Sequence, residues 1–337
     1  MTKERLVWAD SLKGCLMMVV IFSHALQTTL GLESENNHLF NMICSFQMPA
    51  FVAVSGYLAY RIGRDIPYTS MGSCYKATYR RVRQLIIPFI LWDLLKLVTT
   101  NNFTLSGIFD CFLYPDHGYW FLWVLFFIFV IFIMTAWLAN HYSIKQEIVM
   151  TGVCLLLTVI MVIFNIRIFG FQFIAYYYLF YIVGYYLHKY EKELITKKIF
   201  YITILAVLWF VLAWFWKMHE LPIIFKRIPI PETMMQYAYR FMTALVAVYV
   251  LLSLSPLVLN GRKMWNKPLI KIGIVSLGLY TSHLIVMRWI VSFYKDMNLC
   301  NSLVTAISFV SALVISWIIV WILGKWNITA KLLLGKI

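Results

Sequence analysis

The first long apolar stretch of the chain carries two ionisable residues, Lys13 at its entrance and His24 well inside it. In an α-helix eleven residues turn through about 1100° and rise about 16 Å, so both side chains lie on one face, about half a bilayer apart. A neutral imidazole is the usual general base of enzymes, and it can also accept an acyl group covalently. A snorkelling lysine and a packing histidine would be the purely structural explanation. Because ionisable side chains at this depth are costly, we favour a functional site.

A second candidate site lies where the third apolar stretch begins, in the run YRRVRQLIIPF. Arg80 and Arg83 are three residues apart, which places them on one face of an α-helix. Each guanidinium offers a planar fork of donors that suits phosphate, so the pair predicts a phosphorylated ligand. A basic cluster that sets topology and contacts lipid headgroups is the alternative. Arg81, which lies between them, is expected only to contact headgroups.

A third candidate is a stripe of polar residues in the ninth apolar stretch. Ser276, Tyr280, His283 and Met287 follow the spacing i, i+4, i+7 and i+11, so they share one helical face. Polar side chains inside a membrane need partners, and interhelical hydrogen bonding explains them as well as a role in a cavity does.

The elements that must position these residues are membrane helices. Hydrophobic residues make up 62% and aromatic residues 18% of the chain, and its mean hydropathy is +0.79. These values exclude an ordinary soluble domain and predict an all-α polytopic helix bundle. We expect about ten spans, with both termini cytoplasmic, in a single membrane domain over residues 1–337. The first span is too long for a cleaved signal peptide, so we expect it to be retained.

The net charge of +15 reflects topology and does not indicate a nucleic-acid partner. Most of the lysines and arginines fall in segments on the side of the N-terminus, which is the positive-inside asymmetry of membrane proteins. The six cysteines are scattered singly with no zinc-ligand spacing, so no metal site is expected.

Within the third span, Asp93 and Lys96 lie one helical turn apart. Unpaired charges are costly in a membrane, so the two residues are expected to form a structural ion pair.

Several of these strings together resemble one known family. The strings are WADSLKG followed by VVIFSH in the first span, FQMPAFVAVSGY in the second, the RxxR of the third, WFL in the fourth and the Tyr-to-His stripe of the ninth. They resemble the acyltransferase family 3 membrane proteins, especially the branch that includes fucose O-acetylases. A Lys or Arg, ten residues and then a His is that family's hallmark, and Lys13 and His24 fit it. The resemblance extends over almost the whole chain.

The resemblance implies transfer of an acyl group, most often acetyl, from cytosolic acyl-coenzyme A to a hydroxyl of a glycan or other envelope acceptor. Arg80 and Arg83 would hold the donor's phosphates, since the family associates its RxxR with acyl-coenzyme A. Lys13 would neutralise charge near the thioester, and Asp10, one turn before it, would orient it. His24 would deprotonate the acceptor hydroxyl. An acyl-His24 relay is the alternative.

The resemblance also implies residues that contact the acceptor. Trp120, in the WFL string, has an aromatic face that suits a sugar ring, although an interfacial aromatic belt explains it equally. Tyr280 and His283 are the corresponding candidates in the ninth span. The expected partners are acetyl-coenzyme A, a free or lipid-linked glycan and the lipid bilayer of a bacterial plasma membrane.

Other classes of function remain open at this level. A secondary transporter or an export partner of a small envelope metabolite would also have many spans and intramembrane charges. Transporters usually show repeated halves and paired interrupted helices, and neither is visible in the sequence. The sequence identifies neither the acceptor nor which acyl group is transferred.

Overall fold

A computed structural model describes residues 6–65, 68–195, 198–260, 264–294 and 299–336, without the side chains of residues 61–65 and 117. In this part of the chain all regular structure is helical. The α-helices are α1 (Val7–Leu30), α2 (His38–Cys44), α3 (Gln47–Asp65), α4 (Met71–Arg81), α5 (Ile87–Thr99), α6 (Leu105–Leu113), α7 (Trp120–His141), α8 (Gln146–Phe164), α9 (Phe171–Lys189), α10 (Glu191–Leu194), α11 (Ile199–Trp214), α12 (Ile223–Lys226), α13 (Glu232–Val258), α14 (Asn266–Ile274), α15 (Ser276–Tyr294), α16 (Asn301–Leu323) and α17 (Asn327–Leu332).

A π-helix, Val82–Ile86, connects α4 to α5. Short 3₁₀ turns follow α1 and precede α7 and α9.

The length and hydropathy of these helices confirm an all-helical membrane bundle. Seven segments of the described chain are long and apolar enough to cross a bilayer: α1 with the turn after it, α2 joined to α3, α7, α8, α9 with its preceding turn, α13 and α16. The bent pair of α14 and α15 would make an eighth. α11 is apolar but has only 16 residues, and α5 has 13. The count of ten spans and the orientation of the termini therefore stay predictions.

The ninth apolar stretch differs from the single straight span that its sequence predicts. It breaks at Val275, and the axes of α14 and α15 differ by 81°. α14 packs closely along α1, whereas α15 carries the polar stripe against another part of the same helix. The break lets one apolar stretch contact α1 in two orientations.

The described residues divide into two compact units. The first contains residues 1–54 and 190–318, and the second contains residues 55–189 and 319–337. The prediction of a single domain over residues 1–337 stays a prediction.

In the first unit the core is built on α1, which packs against α13, α14 and α15. Two glycines allow α1 and α14 to approach backbone to backbone. A Cβ atom on Gly14 would lie 2.1 Å from the carbonyl oxygen of Leu269, and one on Gly273 would lie 1.8 Å from that of Asp10. These contacts fix the first half of α1, where Asp10 and Lys13 lie.

In the second unit the core is built on α7, which packs against α4, α8, α9 and the π-helix. Aromatic side chains fill it, with Phe132 of α7 in edge contact with Tyr181 of α9 at 5.5 Å between ring centroids. Gly56 of α3 lies against the α9 backbone, where a Cβ atom would be 1.9 Å from the carbonyl oxygen of Tyr181. This core positions the arginines that follow α4.

Candidate active site

His24 lies in the second half of α1, where its side chain is partly buried. Its Nδ1 is 3.1 Å from Oε1 of Gln27, one turn later. Because an amide oxygen can only accept a hydrogen bond, Nδ1 carries the proton, and Nε2 keeps its lone pair. Gln27 thus holds the imidazole in the tautomer that a general base requires. The sequence analysis missed Gln27, although its i+3 spacing from His24 was a usable signal.

His283 lies on α15 and is fully buried. Its Nδ1 donates a hydrogen bond of 2.9 Å to the carbonyl oxygen of Leu279. Nε2 is therefore also a lone-pair acceptor, and among the described atoms it is buried without a hydrogen-bond partner. A buried acceptor with nothing to accept costs free energy, which indicates a place for a ligand's donor group.

The two histidines come together although they lie far apart in the chain. Their ring centroids are 5.2 Å apart and the ring planes are inclined by 44°. Tyr280 stands beside them, with its ring centroid 6.0 Å from that of His283. Two neutral imidazoles that each offer an Nε2 acceptor form a site suited to a hydroxyl-bearing molecule.

Lys13 and Asp10 form an ion pair at the opposite end of α1 from His24. The Lys13 Nζ atom is 3.9 Å from Oδ1 of Asp10, and Asp10 is buried. Lys13 and His24 are eleven residue steps apart, which corresponds to about 16 Å along the helix.

Two polar contacts that the sequence did not predict lie beside His24, between α1 and the helices that follow it. Ser23 donates a hydrogen bond of 3.1 Å to Oε1 of Gln47, at the start of α3. The Gln47 amide nitrogen in turn lies 3.8 Å from the Cys44 sulfur. These bonds fix α1 against the following helices beside His24. No spacing in the sequence links Ser23 with Gln47.

The arginines of the RxxR string lie in the second unit. Arg80 is exposed in the last turn of α4, and Arg83 is partly buried within the π-helix. A π-helix has i→i+5 hydrogen bonds and therefore more residues per turn, so three residues cover less of a turn than in an α-helix. The α-helical i, i+3 alignment assumed for Arg80 and Arg83 is therefore altered.

Arg81 is only partly accessible and packs against a ring of α7, and the headgroup contact expected for it from the sequence stays a prediction. Its Cζ lies 4.0 Å above the ring of Phe129 in α7. Its Nη1 donates a hydrogen bond of 2.9 Å to Oε1 of Gln84. Arg81 is thus turned toward the helix core of the second unit.

A model of a known protein family matches most of the chain. The family model described as "Acyltransferase domain" matches residues 6–321, which include both histidines and all three arginines. The chain belongs to acyltransferase family 3. The resemblance found in the sequence is confirmed.

Two curated proteins with sequence similarity to this acyltransferase family 3 chain are nodulation proteins. The chain is 35% identical over 125 residues to the nodulation protein NolL of Sinorhizobium fredii, an alignment that covers 34% of this chain and 32% of the relative. It is 29% identical over 139 residues to NolL of Mesorhizobium japonicum, covering 37% of this chain and 34% of the relative. The chain thus matches about a third of the length of these relatives. No solved structure matches it.

Trp120, the residue of this family 3 chain that is predicted to contact a sugar ring, is the first residue of α7 in the second unit. Its indole stacks on two rings of α9, with centroids 5.0 Å from Phe173 and 5.3 Å from Tyr177. The stack holds Trp120 in a fixed orientation.

The predicted ion pair of the third span is confirmed. The Lys96 Nζ atom lies 3.8 Å from Oδ1 of Asp93. The backbone N–H of Tyr119 approaches the other carboxylate oxygen at 3.5 Å. Asp93 therefore connects α5 to the start of α7 in the second unit.

The predicted site residues fall into two groups. Asp10, Lys13, His24, Tyr280 and His283 belong to the first unit, where His24, His283 and Tyr280 form one cluster. Arg80, Arg83 and Trp120 belong to the second unit.

Proposed function

We propose that this protein is a membrane O-acyltransferase that moves an acetyl group from cytosolic acetyl-coenzyme A to a hydroxyl of a cell-surface glycan such as O-antigen, capsule or exopolysaccharide. Membership of acyltransferase family 3 supports the class of reaction. The observation that carries the proposal is the pair of His24 and His283, two imidazoles from different helices with their rings 5.2 Å apart and both Nε2 atoms available as acceptors.

His24 acts as the general base in this proposal. As the acceptor oxygen attacks the thioester carbonyl carbon, Nε2 of His24 takes the hydroxyl proton, and the Nδ1–H bond to Gln27 stabilises the imidazolium that forms. The carbon–sulfur bond then breaks, and the imidazolium returns the proton to the leaving thiolate. His283 accepts a hydrogen bond from the acceptor and orients it. In the alternative relay, Nε2 of His24 attacks the thioester carbonyl carbon, and the carbon–sulfur bond breaks to release coenzyme A as the thiolate. The acceptor hydroxyl then attacks the acyl-imidazole, which frees Nε2 to take the hydroxyl proton.

Arg80 and Arg83 are the residues proposed to bind the phosphates of the donor, and Lys13 is the residue proposed to act near its thioester. The two guanidiniums bind the phosphates of acetyl-coenzyme A. The Lys13 ammonium neutralises negative charge that develops near the thioester. Its pairing with Asp10 at 3.9 Å supports a positioning role for that carboxylate.

Trp120 and Tyr280 are the proposed acceptor contacts besides His283. Stacking on Phe173 and Tyr177 makes Trp120 a rigid aromatic surface, which suits a sugar ring because little side-chain entropy is lost on binding. Tyr280 adds a polar-tipped ring beside His283. The acceptor is a free or lipid-linked glycan reached from the bilayer.

The proposed location is the bacterial plasma membrane, with both termini in the cytoplasm. The excess of lysine and arginine in segments on the side of the N-terminus supports this orientation. It places α4 and its arginines at the cytoplasmic face, where acetyl-coenzyme A is made.

The test is the alkali-labile acetate on purified surface glycan from a host that lacks the gene. The host is complemented with the wild type, with His24→Gln or with the Arg80→Gln/Arg83→Gln double variant. The wild type is expected to restore the ester, and both variants are expected to fail at normal membrane levels.

His141→Gln is the matched control for His24→Gln, because His141 is an exposed histidine at the end of α7. It is expected to restore the ester fully. Full transfer by His24→Gln would refute the mechanism. Unchanged ester on every surface glycan after deletion would refute the glycan acceptor, and uptake or export of small envelope metabolites would then be measured.

A further inference from the structure

Arg81 occupies an unusual position for a charged residue in this chain. Its guanidinium lies over the ring of Phe129, 4.0 Å from the centroid, and the side chain is only partly accessible. Gln84, its hydrogen-bond partner at 2.9 Å, is neutral. The charge is thus held in the helix packing of the second unit by an aromatic face and an amide.

Among the side chains that the structure describes, no carboxylate forms an ion pair with Arg81. Tyr68 and Tyr181 belong to the same aromatic cluster as Phe129: both contact the ring of Phe132, whose centroid is 6.3 Å from that of Phe129. Two other cations of the second unit do have acidic partners: Lys96 pairs with Asp93, and Lys189 pairs with Glu147. A cation placed in helix packing without a counter-ion is costly, and in membrane proteins such a charge usually marks a functional site.

The groups around Arg81 add hydrogen-bond donors to its positive charge. The Tyr181 side chain is fully buried, and its hydroxyl has no hydrogen-bond partner among the described atoms. Tyr68 lies in the segment before α4, where burial raises the pKa of its hydroxyl, so it stays a protonated donor at neutral pH. A guanidinium with two neighbouring hydroxyls is a donor set that suits phosphate oxygens.

The local backbone supports a site at this point. The π-helix Val82–Ile86 begins directly after Arg81, and π-helical turns within α-helices occur frequently at functional sites. This segment packs against α7, which carries Phe129. The altered helical register accompanies the inward direction of Arg81, whereas Arg80 before it is exposed.

We propose that Arg81, together with Tyr68 and Tyr181, binds a phosphate group and is the main anion-binding residue of the second unit. The guanidinium fork donates hydrogen bonds to two phosphate oxygens, and the tyrosine hydroxyls donate to a third. The phosphate comes either from the acyl donor, in which case the inference rests on the proposed function, or from an anionic lipid headgroup. Exposed Arg80 and partly buried Arg83 bind further phosphate oxygens of the same ligand, as in the proposed function.

The experiment measures binding to the purified full-length protein. The probes are coenzyme A and inorganic pyrophosphate, titrated against protein in neutral detergent, and nanodiscs of zwitterionic lipid with or without phosphatidylglycerol. Arg81→Gln is expected to weaken binding of the phosphate source about tenfold or more, which corresponds to the loss of a charge-assisted hydrogen bond. Arg81→Lys keeps the charge but loses the planar fork of donors. Its affinity for the phosphate source is expected to lie between those of the wild type and Arg81→Gln.

Lys76→Gln is the matched control, because it removes one positive charge from an exposed position of α4. It is expected to change binding less than about twofold, as loss of one exposed charge usually does. Unfolding without ligand provides a second measurement. Arg81→Met is expected to unfold at the same temperature as the wild type or above it, because an uncompensated cation is removed, whereas a purely structural arginine would leave the protein less stable.

The outcomes separate the inference from the proposed function. Arg81-dependent stabilisation by phosphatidylglycerol alone supports the site and identifies a lipid headgroup as the phosphate source. Arg81-dependent binding of pyrophosphate by a protein whose deletion leaves all glycan esters unchanged supports the site and refutes the proposed function. Equal responses of wild type and Arg81→Gln to all three probes would overturn the inference, even with glycan acetylation intact.

Discussion

The imidazoles of His24 and His283 lie 5.2 Å apart, and each has its Nδ1 proton bound by a neighbouring oxygen of its own helix. Gln27 does this for His24, and the backbone of Leu279 does it for His283. The pair therefore presents two Nε2 lone pairs, while both of its N–H groups are already hydrogen-bonded. A molecule that brings hydroxyl protons complements this site, as a sugar acceptor would.

The roles of the two histidines are separable by substitution. His24→Gln is expected to lower the rate of transfer by about 10²- to 10⁴-fold, the usual contribution of a general base. His283→Gln is expected to cost about tenfold, the loss of one orienting hydrogen bond. Radiolabelled acetyl transfer by purified protein measures both rates. Equal losses for the two variants would mean that the assignment of base and orienting residue is wrong.

Gln27 tests the tautomer of His24 without touching the reacting nitrogen. Gln27→Leu removes the acceptor of the Nδ1 proton, so the imidazole can adopt the other tautomer. We expect kcat to fall about tenfold with KM unchanged, since a stabilising hydrogen bond to the imidazolium is lost. Gln27→Glu keeps an acceptor oxygen and should retain more activity than Gln27→Leu. A rise in KM alone would contradict the positioning role.

The glycines between α1 and α14 are expected to be intolerant of a methyl group. Gly14→Ala and Gly273→Ala each place a Cβ within about 2 Å of a backbone carbonyl oxygen, so the helices must separate at a cost of about 1–3 kcal/mol. Thermal unfolding in detergent measures the loss. Gly152→Ala in α8 is the control, because no heavy atom lies within 4 Å of its Cβ position. Equal stability of all three variants would contradict this packing.

Asp93 and Lys96 should behave as a coupled pair. Asp93→Asn or Lys96→Met alone leaves the partner charge without its counter-ion and is expected to cost about 3 kcal/mol. The double variant removes both charges and should lose clearly less than the sum. A double-mutant cycle of unfolding free energies measures the coupling. Strict additivity would show that the 3.8 Å approach does not stabilise the protein.

Chemical labelling of Cys300 tests the predicted orientation of the chain in the membrane. It is exposed just before α16, while the other five cysteines are buried or partly buried. With a cytoplasmic N-terminus and ten spans, this residue lies outside the cell. A membrane-impermeant maleimide is therefore expected to label intact cells, and Cys300→Ser should abolish the signal. Labelling only after permeabilisation would mean that the predicted topology is wrong.

Much of the fold follows from local features of the sequence. Apolar runs of sufficient length predict membrane helices, because backbone groups in lipid must be satisfied within the segment. The pairing of Asp93 with Lys96 follows from i, i+3 spacing along one helix. The bend of 81° after Ile274 was not predictable, because hydropathy reports which residues prefer lipid and not the direction of a helix axis.

The sequence by itself determined which residue types could perform chemistry and that helices would carry them, because composition and periodicity are local properties. Only the tertiary structure decided that His283 of α15 would face His24 of α1, since their contact depends on how separate helices pack. It likewise decided that Arg81, and not its exposed neighbour Arg80, would turn toward Phe129. That choice depends on which face of α4 packs against the aromatic surface of α7, which residue spacing alone does not encode.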